Sequence, residues 1–97
     1  MSYSLIETFK RIVSEANRFN RVDFGGYDIY MQANDGRTIT AKIRFDGGGQ
    51  DQNEAYLFLE SSTGHSRMTT LTLHQFEHLS SYAAHSERIQ ALVSTSA

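Results

Sequence analysis

His74, Glu77 and His78 form the sharpest chemical motif of the sequence, the pattern H-x-x-E-H of inverted zinc peptidases. In that pattern two histidines one helical turn apart hold zinc, and the glutamate activates a water molecule. On a helical wheel both histidines, and also His85, point away from the apolar residues of the same segment. A catalytic zinc ion requires a shielded cleft and a third protein ligand. We therefore expect a solvated helix face here and no metal site.

Two further patterns lack residues that their chemistry requires. Gly64–Ser66 begins like the turn that presents a serine nucleophile, but Met68 stands where the second glycine is needed. The triplet Gly47–Gly49 has neither the lysine nor the serine of a phosphate-binding loop, and no predicted helix follows it. The sequence offers no nucleophile, base and orienting acid together. We therefore expect a protein that is not an enzyme and that uses no cofactor.

The composition places these motifs in a small globular domain. The chain has 97 residues, 39% of them hydrophobic and 21% charged, so residues 1–97 are predicted to form a single domain with one core. No apolar run approaches the roughly 18 residues that a membrane span needs. The absence of cysteine excludes disulfides and thiolate ligands. Since no secretory signal is recognisable, we expect a cytoplasmic location.

The first predicted element is an amphipathic helix that runs from about Leu5 to Phe19. Its apolar residues fall on one arc of a helix with 3.6 residues per turn. Ser4 and Glu7 have the spacing of a capping box, which marks the start of a helix. The opposite arc is basic, with Arg21 just beyond its end. The basic residues of that arc are Lys10, Arg11 and Arg18.

Beyond residue 24 the apolar period changes to two, which predicts two strands of a β-hairpin. A three-residue loop, Asn34 to Gly36, whose glycine takes a positive φ, brings apolar residues opposite one another. This register pairs Met31 with Ile39. It also places Asp28 opposite Lys42, where we expect a cross-strand ion pair.

A third strand is predicted from Ala55 to Ser61, and it differs from the first two. Leu57 and Leu59 share one side of it, while Tyr56 and Phe58 share the other. Two arrangements explain this pattern. Either both sides of the strand are covered, or an aromatic pair lies on an open sheet.

The remaining chain predicts a loop, a short strand and a split helix. Residues 46–54 contain three consecutive glycines and should form a mobile loop. Met68 to Leu71 suit a short fourth strand, Thr72 to Gln75 form a capping box, and the apolar phase changes near His85. The fold class is therefore α+β, with the order α-β-β-β-α(-α) and an antiparallel sheet packed by N- and C-terminal helices.

The net charge of −2 conceals an acidic middle segment. Residues 23–66 hold seven acidic side chains against three basic ones, whereas residues 1–22 have an excess of two basic side chains. Acidic residues of this kind favour solubility and turns. Alternatively, they imitate the phosphates of a nucleic acid and dock on a basic groove, with aromatic residues as anchors. The residues that we predict to contact such a partner are Asp28, Tyr30, Asp35, Asp46, Asp51, Glu54, Tyr56 and Glu60.

A chain of this length without proline or cysteine, with an acidic middle and no catalytic motif, resembles the small phage and prophage anti-CRISPR proteins. Among them it resembles the type I-F inhibitors of the kind that occupy the DNA-recognition site of the surveillance complex. The resemblance covers the whole chain and carries no individual residue across. It implies a non-enzymatic, DNA-mimicking inhibitor in the cytoplasm of a bacterial host. The implied partner is a protein complex with a basic nucleic-acid-binding groove, without direct binding to nucleic acid or membrane.

A second hypothesis is a small nucleic-acid-binding module. The element order is similar to that of a double-stranded RNA-binding domain, and the basic arc of the first helix would contact phosphates. That fold has a lysine cluster ahead of its second helix. In this chain Arg67 is the only lysine or arginine between Glu60 and His74. A membrane-surface helix is a third use of the same basic arc. Glu7 and Glu15 argue against it.

Overall fold

The computed structural model describes residues 5–45 and 55–95, which fold as one helix, five strands and two further helices. Each strand pairs antiparallel with its neighbour in the chain, in the order β1-β2-β3-β4-β5. This arrangement confirms the predicted α+β class. The elements are α1 (Leu5–Ser14), β1 (Arg18–Val22), a 3₁₀ turn (Asp23–Gly25), β2 (Gly26–Gln32), β3 (Thr38–Phe45), β4 (Ala55–Ser61), β5 (Ser66–Leu71), α2 (Leu73–Ala84) and α3 (Glu87–Thr95).

The β2–β3 hairpin has the predicted register, with Met31 opposite Ile39. Ala33 N–H donates to the carbonyl oxygen of Arg37 at 2.8 Å, which closes a loop of three residues. Gly36 has φ +93°, a backbone conformation that glycine adopts readily and that is strained for residues with a side chain. The period of two and the choice of loop length therefore sufficed to define this pairing.

The prediction that the first helix continues to Phe19 was wrong. The helix ends at Ser14, and Phe19 lies in β1 opposite Ile29 of β2. The spacing of the apolar residues also fits a longer helix. However, the backbone of β1 forms its hydrogen bonds with β2 instead of within a helix. Asn17 N–H, for example, donates to the carbonyl oxygen of Tyr30 at 2.9 Å. Arg18 therefore belongs to an edge strand and not to the basic arc of a helix.

The hydrophobic core lies between the three helices and one face of the sheet. Full burial of each of its large side chains contributes roughly 1.5–3 kcal/mol relative to exposure. Ile89 joins α3 to the same core. The largest side chains that are fully buried are Phe9, Ile12, Val13, Ile29, Ile43, Leu57 and Leu79.

The C-terminal helices begin and end close to the predicted positions. Thr72 Oγ1 accepts a hydrogen bond from Gln75 N–H at 3.1 Å, and Gln75 Oε1 accepts one from Thr72 N–H at 3.0 Å, so the capping box is confirmed. The helix break falls at His85, as expected. Ser86 Oγ accepts a hydrogen bond from Arg88 N–H at 3.2 Å and so caps the start of α3.

Two predicted features lie outside the described residues: the Ser4 half of the first capping box and the loop at residues 46–54. In the described part of the chain, no helix is long and apolar enough to cross a membrane.

Candidate functional site

The face of the sheet opposite the three helices, called here the outer face, carries the candidate site. Alternation along the strands and the observed register define which side chains belong to it. Its residues are Arg18, Asn20, Asp28, Tyr30, Gln32, Thr38, Thr40, Lys42, Arg44, Tyr56, Phe58, Glu60, Ser66, Met68 and Thr70.

A patch of large apolar and aromatic side chains crosses the outer face. Tyr56 and Phe58 are half-buried on it, while Leu57 and Leu59 of the same strand point into the core. The structure thus favours the second of the two arrangements for β4, an aromatic pair on an open sheet. Met68 stands opposite Phe58 and is 59% exposed. This patch is the part of the outer face best suited to contact another macromolecule.

Asp28 forms its ion pair with Arg44 and not with Lys42. Asp28 does stand opposite Lys42 in the ladder, so the predicted register holds while the predicted pairing was wrong. Arg44 Nη2 lies 2.6 Å from Asp28 Oδ1. Arg44 Nη1 also donates to the carbonyl oxygens of Tyr27 at 3.2 Å and Ile43 at 3.1 Å, which fixes the guanidinium beside the carboxylate. Among the described residues, none forms a hydrogen bond with Asp28 Oδ1, so its contact with Arg44 is ionic in character.

The other charged groups of the outer face are also engaged locally. Lys42 Nζ lies 3.8 Å from Glu60 Oε1 and 5.9 Å from the ring centroid of Phe58. The guanidinium of Arg18 lies 4.1 Å from the ring centroid of Tyr30, a cation–π distance. Among the described residues, the outer face therefore carries two carboxylates against three cations, although the segment that supplies most of it is acidic in sequence.

Asp35 is separated from the other predicted contact residues. It lies at the tip of the β2–β3 hairpin, beside a cleft of about 360 Å³ between that hairpin and α1. Asp35 Oδ1 accepts a hydrogen bond from Arg37 N–H at 3.1 Å, and Arg37 Nε lies 2.8 Å from Oδ2. The backbone hydrogen bond, followed by the side-chain one, lowers the pKa of Asp35 below its ordinary value. The Asp35 carboxylate therefore stabilises the turn between β2 and β3.

Of the eight predicted contact residues, the structure brings four together on the outer face: Asp28, Tyr30, Tyr56 and Glu60. Asp46, Asp51 and Glu54 lie outside the described residues.

The two histidines of α2 and the histidine that follows it face solvent, as predicted. His74, His78 and His85 are exposed, and the described ranges contain no group of three side chains suited to hold a metal ion. Ser81 Oγ lies 3.3 Å from His85 Nδ1, a distance at which a serine nucleophile and a histidine base would meet. However, Nδ1 is only 2.9 Å from the carbonyl oxygen of Ser81, to which it donates its proton. The ring therefore caps a helix end and offers no base to the hydroxyl.

The sequence interpretation missed one exposed aromatic residue. Phe24 is 79% exposed and has φ +64°, a left-handed conformation that is strained for an aromatic side chain. Ser80 Oγ donates to the carbonyl oxygen of Gly25 at 2.8 Å and ties this turn to α2. The signal in the sequence was the run Asp23 to Gly26, which has the composition of a turn.

Comparison of this chain with models of protein families, with curated proteins and with solved structures finds no match. Its function must therefore be inferred from the chemistry of the outer face.

Proposed function

We propose that this chain is a non-enzymatic binding protein that docks on a protein partner through its outer face. The observation that carries the proposal is the open side of the sheet, where Tyr56, Phe58 and Met68 form a patch that no described helix covers. Aromatic side chains held in rigid strands are effective interface anchors because little conformational entropy is lost when they are buried.

The engaged charges of the outer face support a protein partner. Asp28 and Glu60 each lie beside a cation of the same face, so their negative charges are already balanced before a partner binds. Such a balanced surface suits a partner of mixed charge, at which aromatic contacts supply most of the affinity. Imitation of phosphates would depend more on Asp46, Asp51 and Glu54, which follow β3 in the sequence.

The resemblance to small anti-CRISPR proteins supplies the partner to test first. In this proposal the chain inhibits a type I-F surveillance complex in the cytoplasm of a bacterial host and keeps target DNA from its recognition site. Both the aromatic patch and the acidic segment after β3 would contribute to that contact.

The experiment measures binding to a purified type I-F surveillance complex with and without target DNA. We expect tight binding that target DNA excludes, and a loss of at least about tenfold when Tyr56→Thr and Phe58→Thr are combined. Threonine retains the strand propensity of these positions. Simultaneous occupancy of the complex by DNA and this protein would contradict an inhibitor that occupies the DNA site.

Glu60→Lys separates mimicry from ordinary docking in the same assay. If the carboxylates stand in for phosphates, this reversal weakens binding at least about tenfold, since a charge-assisted contact becomes a repulsion. If the aromatic patch carries the affinity, the effect remains small.

A second candidate function rests on cations and aromatic rings that lie next to one another on the outer face. Arg18 over Tyr30 and Lys42 near Phe58 resemble the surfaces on which bases of single-stranded nucleic acid stack. The basic arc of α1 supports nucleic-acid binding less, because Arg11 pairs with Glu15 at 3.3 Å. Binding to a labelled oligonucleotide that falls steeply with salt would favour this candidate.

A further inference from the structure

Strand β5 forms one edge of the sheet, and its backbone presents hydrogen-bonding groups to solvent. Ser61 N–H donates to the carbonyl oxygen of His65 at 2.8 Å at the start of the β4–β5 ladder. Because hydrogen-bonded pairs alternate with non-bonded pairs in an antiparallel ladder, every second residue of β5 directs its N–H and C=O away from β4. These outward residues are Ser66, Met68 and Thr70.

The sequence of β5 carries little of the protection that natural edge strands have. Such strands are protected by charged side chains, proline or a bulge. β5 pairs with β4 at six consecutive positions without a bulge, and Arg67 is its only charged residue. The opposite edge differs, since β1 has five residues and two of them are Arg18 and Arg21. β5 is therefore the edge on which strand addition costs least.

We propose that β5 pairs antiparallel with β5 of a second copy of this chain, about a two-fold axis at Met68. In this register Met68 stands opposite Met68 of the second copy, and Ser66 stands opposite Thr70 of the second copy. Both members of each pair lie on the same face of the sheet, so the outer faces of the two copies become continuous. The three outward residues of each strand form about six hydrogen bonds across the axis.

The charges and apolar contacts of β5 favour a second copy over other occupants. The symmetric register sets Arg67 opposite a neutral threonine, Thr69 of the second copy, so that no like charges are paired. It also buries Met68, which is 59% exposed, against its counterpart and beside Phe58. Pairing of β5 with β1 of another copy would instead place Arg67 on the strand facing Arg18 and Arg21, and such a head-to-tail contact forms a ring or an open filament and not a dimer.

Disulfide trapping tests the register directly, because the native chain has no cysteine. Met68→Cys places two thiols about 5.5 Å apart at their Cα atoms in the proposed dimer, within the range for a disulfide. We expect this variant to oxidise rapidly to a covalent dimer. Ser66→Cys is the matched control, since its two copies are separated by about four residues along the strands and should crosslink slowly.

Analytical ultracentrifugation of the full chain gives the independent measurement. We expect a species of twice 11.0 kDa for the wild-type chain and for Met68→Leu. Met68→Lys places like charges on both sides of the axis and should yield a folded monomer, with folding checked by circular dichroism. A wild-type monomer at all concentrations would overturn the proposal and leave the edge to a strand of another protein. Assemblies that grow beyond the dimer, or a dimer in which Met68→Cys crosslinks no faster than Ser66→Cys, would also overturn it. None of these outcomes depends on the proposed function.

Discussion

At the scale of single residues, Arg44 makes a set of contacts on the outer face that the sequence interpretation did not predict. Its guanidinium is held by two backbone carbonyl groups and lies 2.6 Å from Asp28, whose side chain is only 16% exposed. A planar guanidinium meets a carboxylate and backbone oxygens together, which the ammonium of Lys42 does less well. Because the pair of Asp28 and Arg44 is partly buried, we expect it to contribute to the free energy of unfolding.

Arg44→Ala should therefore lower the free energy of unfolding by about 1–3 kcal/mol, because Asp28 is left half-buried without its cation. Lys42→Ala should cost less than about 1 kcal/mol, since its pair with Glu60 is wider and more exposed. Urea denaturation of both variants measures the difference. Equal costs, or a larger cost for Lys42→Ala, would mean that Asp28 relies on Lys42 after all.

Phe24 presents the opposite case, a residue whose backbone is strained and whose side chain is 79% exposed. Asparagine accepts the left-handed conformation more readily than phenylalanine. Phe24→Asn should therefore leave the melting temperature unchanged or raise it slightly, whereas Phe24→Val should lower it because a branched side chain worsens the strain. A loss of more than about 1 kcal/mol with Phe24→Asn would assign the ring a packing role.

At the scale of elements, patterns between neighbouring residues in the sequence predicted the β2–β3 hairpin and the start of α2, but they did not predict β1. The β2–β3 register followed from alternation and loop length, and the start of α2 followed from Thr72 and Gln75, because both depend on neighbours in the chain. Strand β1 did not follow, because its apolar spacing also fits a helix and its pairing with β2 decides the outcome. Whether the aromatic side of β4 is covered or open likewise could not be decided from the sequence, because it depends on where the helices pack.

The capping box at Thr72 provides a test at this scale. Thr72→Ala removes the oxygen that accepts the N–H of Gln75 and should lower stability by about 1 kcal/mol. Thr72→Ser keeps this oxygen and should behave like the wild-type chain in thermal denaturation. Equal melting temperatures for both variants would show that α2 is held by packing alone.

At the scale of the whole fold, the three helices of the described residues lie on one face of the five-stranded sheet and do not cover the other face. Among the described residues, the acidic side chains of residues 23–66 do not form one acidic surface, since Asp35 lies at a hairpin tip while Asp28 and Glu60 are paired with cations. The aromatic patch thereby becomes the main feature of the outer face. We infer that this face docks on a protein.

Capture from a bacterial lysate tests docking through the outer face, with three immobilised baits compared at about 50 and 500 mM salt. The baits are the wild-type chain, the outer-face variant Tyr56→Thr with Phe58→Thr, and the control His74→Ala with His78→Ala on the solvent face of α2. We predict that the wild-type chain and the control retain the same stoichiometric protein complex at both salt concentrations, while the outer-face variant loses at least about nine-tenths of it. Retention of that complex by the folded outer-face variant would contradict docking through the outer face, and so would capture of nucleic acid that high salt releases.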